Sequence, residues 1–301
     1  MRTFAIILLS IATILLAESA HAVGSDDIKQ LTHQSYEMKL EDGIEAFYRS
    51  DWQKAARLFR ELRQEAPQDA RSYFFESMIP FWKYYFGGNS EQAADRFLQR
   101  SQKAIEISQN QLEKNPRDTT MVLMLSGLYG YQSLVAASEK RYKTAIQSGM
   151  TGFKYTRQLL SLDADDPKAL IGKGMFYYMV GSVPSGLQWV TNLAGISGDM
   201  QEGFDALEQA AQSDSYVSND AKMILAYLYE REKKYQQSLD QLKDLTQRYP
   251  ENIIFQYNQA RLLEQCQQPA RARQKYQHVL TMEVDDLQIL KEKSRNRLKK
   301  L

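Results

Sequence analysis

Apolar residues recur along this chain at the spacing of α-helices that bury one face. Within residues 221–250, a first apolar stripe is followed by a polar break at residues 232–234 and then by a second stripe. Pro250 ends the second stripe, because proline cannot continue a helix. The segment therefore predicts two consecutive helices joined by a short turn. The stripes consist of Ile224, Leu225, Leu228 and Tyr229, and of Tyr235, Leu239, Leu242 and Leu245.

The same pattern returns 34 residues later, so the two helices form a repeating unit. Small residues occupy matching positions: Ala226 corresponds to Ala260, and Ser238 corresponds to Ala272. Two antiparallel helices approach closely only where small side chains face each other, since the side chains at the crossing set the distance between the axes. The repeat therefore predicts a stack of helical hairpins.

These positions resemble the tetratricopeptide repeat (TPR), a helix–turn–helix unit of the same length. Gly43, Ala55, Phe59 and Pro67 fall on the same grid near the N-terminus. The resemblance implies an all-α fold, a right-handed TPR-like α-solenoid in which each repeat touches only its neighbours. The chain departs from the family pattern because the bulky Trp near the start of the consensus is missing.

Three prolines indicate longer units in the middle of the chain. Pro67, Pro116 and Pro167 follow one another at spacings of 49 and 51 residues, which predicts lengthened helices. We expect a single domain of about six hairpins that ends in a capping helix. The predicted hairpins are 36–69, 70–118, 119–168, 169–218, 219–252 and 253–286, and the predicted cap is 287–301.

The last helix is strongly basic. A polar final helix covers the exposed end of a solenoid, so we interpret this segment as the cap. The alternative is that the basic C-terminus makes peripheral contact with an acidic membrane surface or protein. Its cations are Lys291, Lys293, Arg295, Arg297, Lys299 and Lys300.

An insertion interrupts the fourth unit, over residues 181–198. A long insertion in a compact repeat is usually functional or fills a groove, and the sequence leaves its role open. The block around it resembles the central part of the eukaryotic inclusion-body-clearance and tetratricopeptide-39 type of protein, and of related bacterial exported TPR proteins. The residues that carry this resemblance are Pro184, Leu187, Leu193, Gly195, Gly198, Asp199, Gly203, Leu207 and Ala210.

The N-terminal 22 residues have the pattern of a signal peptide. Arg2 precedes the apolar run Phe4 to Ala17, which is short for a membrane span, and Ala20-His21-Ala22 supplies small residues for cleavage after Ala22. We therefore expect export, to the periplasm if the source is a Gram-negative bacterium; the alternative is an uncleaved anchor. Cys266 is the only cysteine, and we interpret it as an inert core residue rather than a reactive thiol.

Catalytic and metal-binding patterns are missing from the sequence. Only His33 and His278 would remain after cleavage, and no zinc, P-loop or nucleophile motif occurs. Asp163, Asp165 and Asp166 lack the order of a calcium loop and indicate a helix N-terminus instead. The prediction is a protein that is not an enzyme and uses no cofactor or metal. The net charge of +1 gives no indication of a nucleic-acid partner.

Binding is the function class that the sequence favours. Residues 73–86 crowd eight aromatic side chains onto one helix that also contains Pro80, so some rings line a groove or cavity unless the flanking helices bury most of them. The TPR resemblance implies that the first helix of each hairpin lines the concave surface. TPRs that hold a peptide carboxylate use Lys, Arg and Asn there, and only Asn258 and Arg261 fit. The candidate binding residues are Phe81, Trp82, Tyr85, Tyr177, Trp189, Tyr227, Tyr257, Asn258 and Arg261.

Two functions remain open from the sequence. The first is an exported scaffold that binds a protein or peptide in the cell envelope. The second is a helical component of an envelope transport system that binds a small apolar molecule or a lipid, with Trp189 as a lid. An open groove of mixed polarity would favour the first, and a closed apolar cavity would favour the second.

Overall fold

A computed structural model of the chain describes residues 25–88, 90–162, 166–182, 198–215, 217–284 and 286–301. These residues form thirteen α-helices, and no strand occurs within the described ranges. The all-α prediction is confirmed. The helices are α1 (Ser25–Tyr48), α2 (Trp52–Glu65), α3 (Ala70–Gly87), α4 (Glu91–Lys114), α5 (Thr119–Ser138), α6 (Tyr142–Leu160), α7 (Pro167–Gly181), α8 (Met200–Gln212), α9 (Ser218–Arg231), α10 (Tyr235–Arg248), α11 (Ile253–Gln265), α12 (Pro269–Thr281) and α13 (Gln288–Leu298).

Consecutive helices pair into six hairpins and leave α13 at the end, which gives the TPR-like solenoid expected from the repeat. The helices of the last two hairpins are 13 or 14 residues long, whereas α4, α5 and α6 contain 24, 20 and 19 residues. The lengthened middle repeats are therefore present. α3 continues through Pro80 without a break in the helix.

Acidic and amide side chains start many of the helices. Asp51, Asp69, Asp118 and Asn252 precede α2, α3, α5 and α11, and each side chain accepts a backbone N–H of the first turn. Asp166 does the same for α7, as the sequence indicated. These bonds satisfy donors that a helix start would otherwise leave without partners.

Four hairpins turn in the same way. Ser50, Lys140, Lys233 and Gln267 lie directly after α1, α5, α9 and α11 with φ between 56° and 65°, in the left-handed region. In the turn after α9, the Lys234 N–H donates to the Tyr229 carbonyl at 2.8 Å and the Lys233 N–H donates to the Glu230 carbonyl at 2.9 Å. This is the Schellman arrangement, which usually uses glycine. The hairpins repeat in backbone geometry where their side chains do not repeat.

The solenoid returns on itself, so that its first hairpin packs against its last two. Tyr48 at the end of α1 stacks on Tyr249 with ring centroids 5.5 Å apart, and the Asn252 amide donates to the Tyr48 carbonyl at 2.6 Å. Trp82 of α3 meets Phe255 of α11 at 6.0 Å. The expectation that each repeat contacts only its neighbours is therefore too narrow. We call this contact the seam; its residues are Glu45, Tyr48, Arg49, Asn219, Asp220, Tyr249, Glu251 and Asn252.

Helix α13 covers the last hairpin, as predicted for the cap. Leu290 and Ser294 are buried against α11 and α12, and the Arg297 guanidinium lies 3.3 Å from a carboxylate oxygen of Glu264. Lys83 of α3 forms an ion pair at 2.7 Å with Asp286, just before α13. The cap thus also contacts the early part of the chain.

Candidate functional site

Helix α3 supplies the centre of the folded chain with aromatic rings. Trp82 is 3% exposed and contacts Phe47 edge-on at 4.7 Å. Phe81 is 7% exposed and lies 4.6 Å from the ring of Tyr131. Both residues were candidates for ligand contact, and the structure places them in the core. The flanking helices bury most of the aromatic run, and Phe81 and Trp82 support the surface above them.

Tyr85, one turn after Phe81, reaches that surface. It is 42% exposed, stacks on Phe81 at 6.0 Å and meets Phe86 edge-on at 5.1 Å. Two rings therefore hold the aromatic body of Tyr85 while its outer side faces solvent. Burial raises the pKa of the Tyr85 hydroxyl, and the nearby Tyr227 and Glu230 raise it further, whereas Arg261 lowers it. The hydroxyl therefore lies among groups of α9 and α11.

An arginine–carboxylate pair forms the middle of this surface. Both terminal nitrogens of Arg261 donate to the Glu230 carboxylate, one of them at 2.7 Å, and one also donates to the Asn258 side-chain oxygen at 3.2 Å. The two charged side chains are 27% and 24% exposed. Burial lowers the pKa of Arg261, but the bonds and charge of Glu230 outweigh it and raise the pKa above its ordinary value. The pair is fixed in place and remains reachable from one side.

Asn258 and Tyr257 are engaged within the protein. The Asn258 amide donates to the Ile254 carbonyl of its own helix at 2.9 Å. Tyr257 is 9% exposed and lies 5.9 Å from the ring of Tyr276. Since Asn258 and Arg261 already hold protein partners, they do not form a clamp for a free peptide carboxylate. The groups left for a ligand are the tyrosine rings and the outer side of the ion pair.

Tyr227 completes the surface from α9, with 53% of its area exposed. We call the group Tyr85, Tyr227, Glu230, Asn258 and Arg261 the tyrosine face. Four of its members were predicted site residues, and Tyr257 lies beside it. Glu230 was placed on the concave surface by the sequence but was not among the candidates; the Arg261 position one repeat later was the signal for it.

Two candidates lie elsewhere. Tyr177 of α7 is half-buried, beside Phe176 at 5.8 Å, with the Lys173 amino group 5.9 Å from the centre of its ring. Trp189 and most of the insertion fall outside the described residues, and so does the narrower resemblance carried by residues 184–195. The lid expected from Trp189 stays a prediction.

A cleft of about 1,020 Å³ opens beside the seam, between α1 and the helices α8, α9 and α10. Asp220 lies on α9 at this seam and accepts a hydrogen bond from the Tyr48 hydroxyl. Burial raises the pKa of the Asp220 carboxyl to about 6, although the bond from Tyr48 opposes the rise. The cleft is polar, and its charged lining consists of Glu41, Asp42, Glu45, Glu208, Asp214 and Asp244 against Lys222 and Arg248.

A second recess, a groove of about 500 Å³, runs between α10 and α12 with α11 beneath it, and it is also lined mainly by polar side chains. In the described ranges, no group of three His, Cys, Asp or Glu side chains is placed to hold a metal ion. Cys266 is half-buried, and burial raises the pKa of its thiol. A raised pKa keeps the thiol protonated, which fits an inert residue.

Comparison with known proteins leaves the sequence without a close relative. No family model matches the chain, and no curated protein matches it. Among solved structures, it is similar to a thermophilic TPR protein of Thermus thermophilus (16% identity, 76% of this chain and 98% of that one, TM-score 0.44). It is also similar to a TPR protein from Parabacteroides merdae (16% identity, 89% of each chain, TM-score 0.37).

A third similarity is to the human IFIT1 dimer with PPP-AAAA, at 13% identity over 86% of this chain and 51% of that one, with a TM-score of 0.49. This chain therefore spans about half the length of IFIT1. The helical hairpins described above, rather than these similarities, establish the TPR-like architecture.

Proposed function

We propose that this protein is a non-enzymatic, TPR-like scaffold that binds a segment of a partner protein on the tyrosine face. The observation that carries the proposal is the pairing of two half-exposed tyrosines, Tyr85 and Tyr227, which come from opposite ends of the chain and meet beside a fixed Arg261–Glu230 pair. Closure of the solenoid brings these groups together.

The chemistry of the face suits a peptide. Tyrosine side chains offer a large apolar area with a polar end and lose little conformational entropy on binding, which is why they are frequent in recognition surfaces. Here the ring of Tyr85 is already held by Phe81 and Phe86, so binding requires little further ordering. The ion pair adds both signs of charge for backbone and side-chain hydrogen bonds. We expect an internal peptide segment with an apolar or aromatic residue, not a chain terminus.

The proposed place of action is the cell envelope, and the N-terminal pattern of residues 1–22 supports export. N-terminal sequencing of the protein isolated from the envelope fraction tests this proposal. A mature chain that begins at Val23 agrees with export, and a chain that keeps Met1 in the soluble cytoplasmic fraction excludes it.

Site-specific photo-crosslinking in the source cells tests the binding face. We would place a photoreactive phenylalanine analogue at Tyr85 or Tyr227, with exposed Gln277 of α12 as the control position on another surface. We expect one shared polypeptide adduct from the two tyrosine positions and none from Gln277. A peptide derived from that adduct should bind the unmodified chain and bind about tenfold more weakly after Tyr227→Ala, since a truncated aromatic anchor costs about 1–2 kcal/mol.

Native mass spectrometry of the gently purified protein separates the two functions considered from the sequence. A bound mass of a few hundred daltons that is lost on Trp189→Ala would replace the peptide-binding proposal with binding of a small molecule or lipid. An adduct pattern that is the same at all three crosslinking positions would also contradict the tyrosine face.

A further inference from the structure

Helix α6 exposes a row of large apolar side chains. Tyr142, Ile146 and Met150 are 64%, 63% and 70% exposed. They are four residues apart, so they project from one side of the helix, one turn above another. Leu134 of the paired helix α5 is 45% exposed. Eight large apolar side chains are exposed in the described part of the chain, and four of them lie in this one hairpin. We call Tyr142, Ile146 and Met150 the α6 ridge.

The α6 ridge is bordered by positive charge. Helix α6 contains no acidic residue, and its cations Lys143, Lys154 and Arg157 are exposed. At 3.6 residues per turn, Lys143 and Lys154 project within about 40° of Met150 around the helix. Between 119 and 160 there are five basic residues and a single acidic one, Glu139, which accepts a hydrogen bond from the Tyr84 hydroxyl at 2.6 Å. The hairpin therefore favours an anionic partner.

Helix α5 contributes no charge to this hairpin. It is long and apolar enough to pass a test for a membrane span by length and composition, with 20 residues and a mean hydropathy of 1.2, but it is a partly buried helix of the solenoid. Such a helix supports α6 from beneath without supplying carboxylates that an anionic surface would repel. The two helices together present apolar side chains and cations only.

From these observations we propose that the α6 ridge docks the protein peripherally on an anionic lipid surface. Helices that lie at a membrane interface combine an apolar stripe with flanking Lys and Arg, and anionic headgroups attract those cations. The ridge projects outward, and the two recesses described above lie on other helices. Projecting side chains enter a lipid interface without any matching pocket, whereas a protein partner would have to supply a complementary groove.

The C-terminal helix does not offer the same combination. Leu287 and Leu290 are each 2% exposed and lie in the core, and Arg297 lies beside Glu264. The C-terminus therefore presents charge without free apolar side chains. This comparison moves the expected membrane contact from α13 to α6. The inference is independent of the tyrosine face, which lies on α3, α9 and α11.

Co-sedimentation with vesicles tests the proposal with the full mature chain. Vesicles of phosphatidylcholine with about one third phosphatidylglycerol are compared with phosphatidylcholine alone. The test variant is Ile146→Glu with Met150→Glu. The matched control is Met38→Glu with Met179→Glu, since these methionines are 61% and 56% exposed on other helices and the change in net charge is the same.

We expect binding to the anionic vesicles only, reduced at least tenfold in the ridge variant and unchanged in the control. A second pair separates the two basic helices: Lys143→Glu with Lys154→Glu should weaken binding, and Lys299→Glu with Lys300→Glu should not. Circular dichroism checks that each variant keeps the helical fold.

Three results would overturn the proposal. The first is an absence of vesicle binding by the wild-type chain. The second is loss of binding in the C-terminal variant but not in the α6 variants. The third is a wild-type dimer, measured by light scattering without lipid, that the Ile146→Glu and Met150→Glu changes convert to monomer; the ridge would then be an interface between two copies.

Discussion

The seam and the α5–α6 hairpin use their side chains in opposite ways. At the seam, polar groups from distant parts of the chain find each other: the Tyr249 hydroxyl lies 3.1 Å from the Glu45 carboxylate, and the Asn219 amide donates to Tyr249 at 2.9 Å. In the hairpin, Leu134 and the α6 ridge remain open to solvent. The seam contributes to the stability of the closed chain, and the hairpin carries apolar surface that the fold does not use.

The hairpin tolerates this because α5 and α6 hold each other closely. A Cβ atom at Gly152 of α6 would lie 3.2 Å from the Gly130 nitrogen of α5, so the two backbones are almost in contact. Most of its cohesion is local, between helices adjacent in sequence. The closure of the solenoid depends instead on a few side chains about 200 residues apart. Changes at the seam should therefore alter stability most.

We expect the largest loss from Asn252→Ala. Asn252 is fully buried, accepts the Ile254 and Phe255 N–H groups at the start of α11, and donates to the Tyr48 carbonyl across the seam. Losing the cap and leaving that carbonyl without its partner should cost about 2–4 kcal/mol of unfolding free energy. Urea denaturation measures this. Asp118→Ala, which removes only the cap of α5, should cost about 1 kcal/mol, and an equal loss in both variants would show that the seam contact contributes nothing.

The next effect concerns pH. The pKa of Asp220 in the folded chain is raised to about 6, so the native chain holds this proton more tightly than the unfolded chain. The resulting stability is fully present below about pH 4 and is lost as the pH rises through about 6, with a total of roughly 2 kcal/mol. Asp220→Asn removes the titration but keeps an acceptor for Tyr48. Denaturation midpoints between about pH 4.5 and pH 7.5 should fall with pH more steeply in the wild type than in this variant.

The difference between the two chains is the quantity to compare. Asp69 and Asp166 have lowered pKa values and lose stability as the pH falls, in both chains alike. Parallel pH profiles for wild type and Asp220→Asn would mean that the Asp220 carboxyl does not titrate in this range.

Two glycines should respond to alanine with opposite signs. A Cβ atom at Gly43 in α1 would come within 2.7 Å of a ring carbon of Phe59, which is fully buried and stacked on Phe75. Gly43→Ala should therefore destabilise the chain by about 1–2 kcal/mol. At Gly130 on the exposed side of α5, nothing lies within 4 Å, so Gly130→Ala should stabilise the helix by about 0.5–1 kcal/mol. Thermal unfolding of both variants measures the contrast, and a shift of the same sign would show that the hairpin is as tightly packed as the first repeat.

The repeat pattern predicted the helices well, because the helical period and the small residues at the crossings are local signals. Gly43 is an example: its place on the 34-residue grid marked a close crossing, and Phe59 fills that crossing. Arg261 and Glu230 lie one repeat apart, so the same grid placed both on one surface.

Closure could not be predicted in this way. Tyr48 and Tyr249 each look like an ordinary residue at the end of a helix, and nothing local indicates that they stack on each other. Closure is the sum of small rotations between successive repeats, and helix lengths do not specify those rotations. The meeting of Tyr85 with Tyr227 follows from the same sum. The sequence therefore supplied most members of the tyrosine face but not their arrangement.

The smallest predicted effect lies at the edge of the seam and shows which of its contacts matter. Arg49 and Glu251 form an ion pair at 2.6 Å, and their side chains are 47% and 46% exposed. Water screens such a pair, and both side chains lose conformational freedom in forming it, so a double-mutant cycle of Arg49→Ala and Glu251→Ala should give a coupling energy below about 0.5 kcal/mol. A coupling comparable to the loss in Asn252→Ala would mean that closure depends on surface charge. In that case about 1 M salt, which screens exposed charges, would open the seam. A small coupling that salt leaves unchanged would assign the closure to the buried contacts of Tyr48, Tyr249 and Asn252.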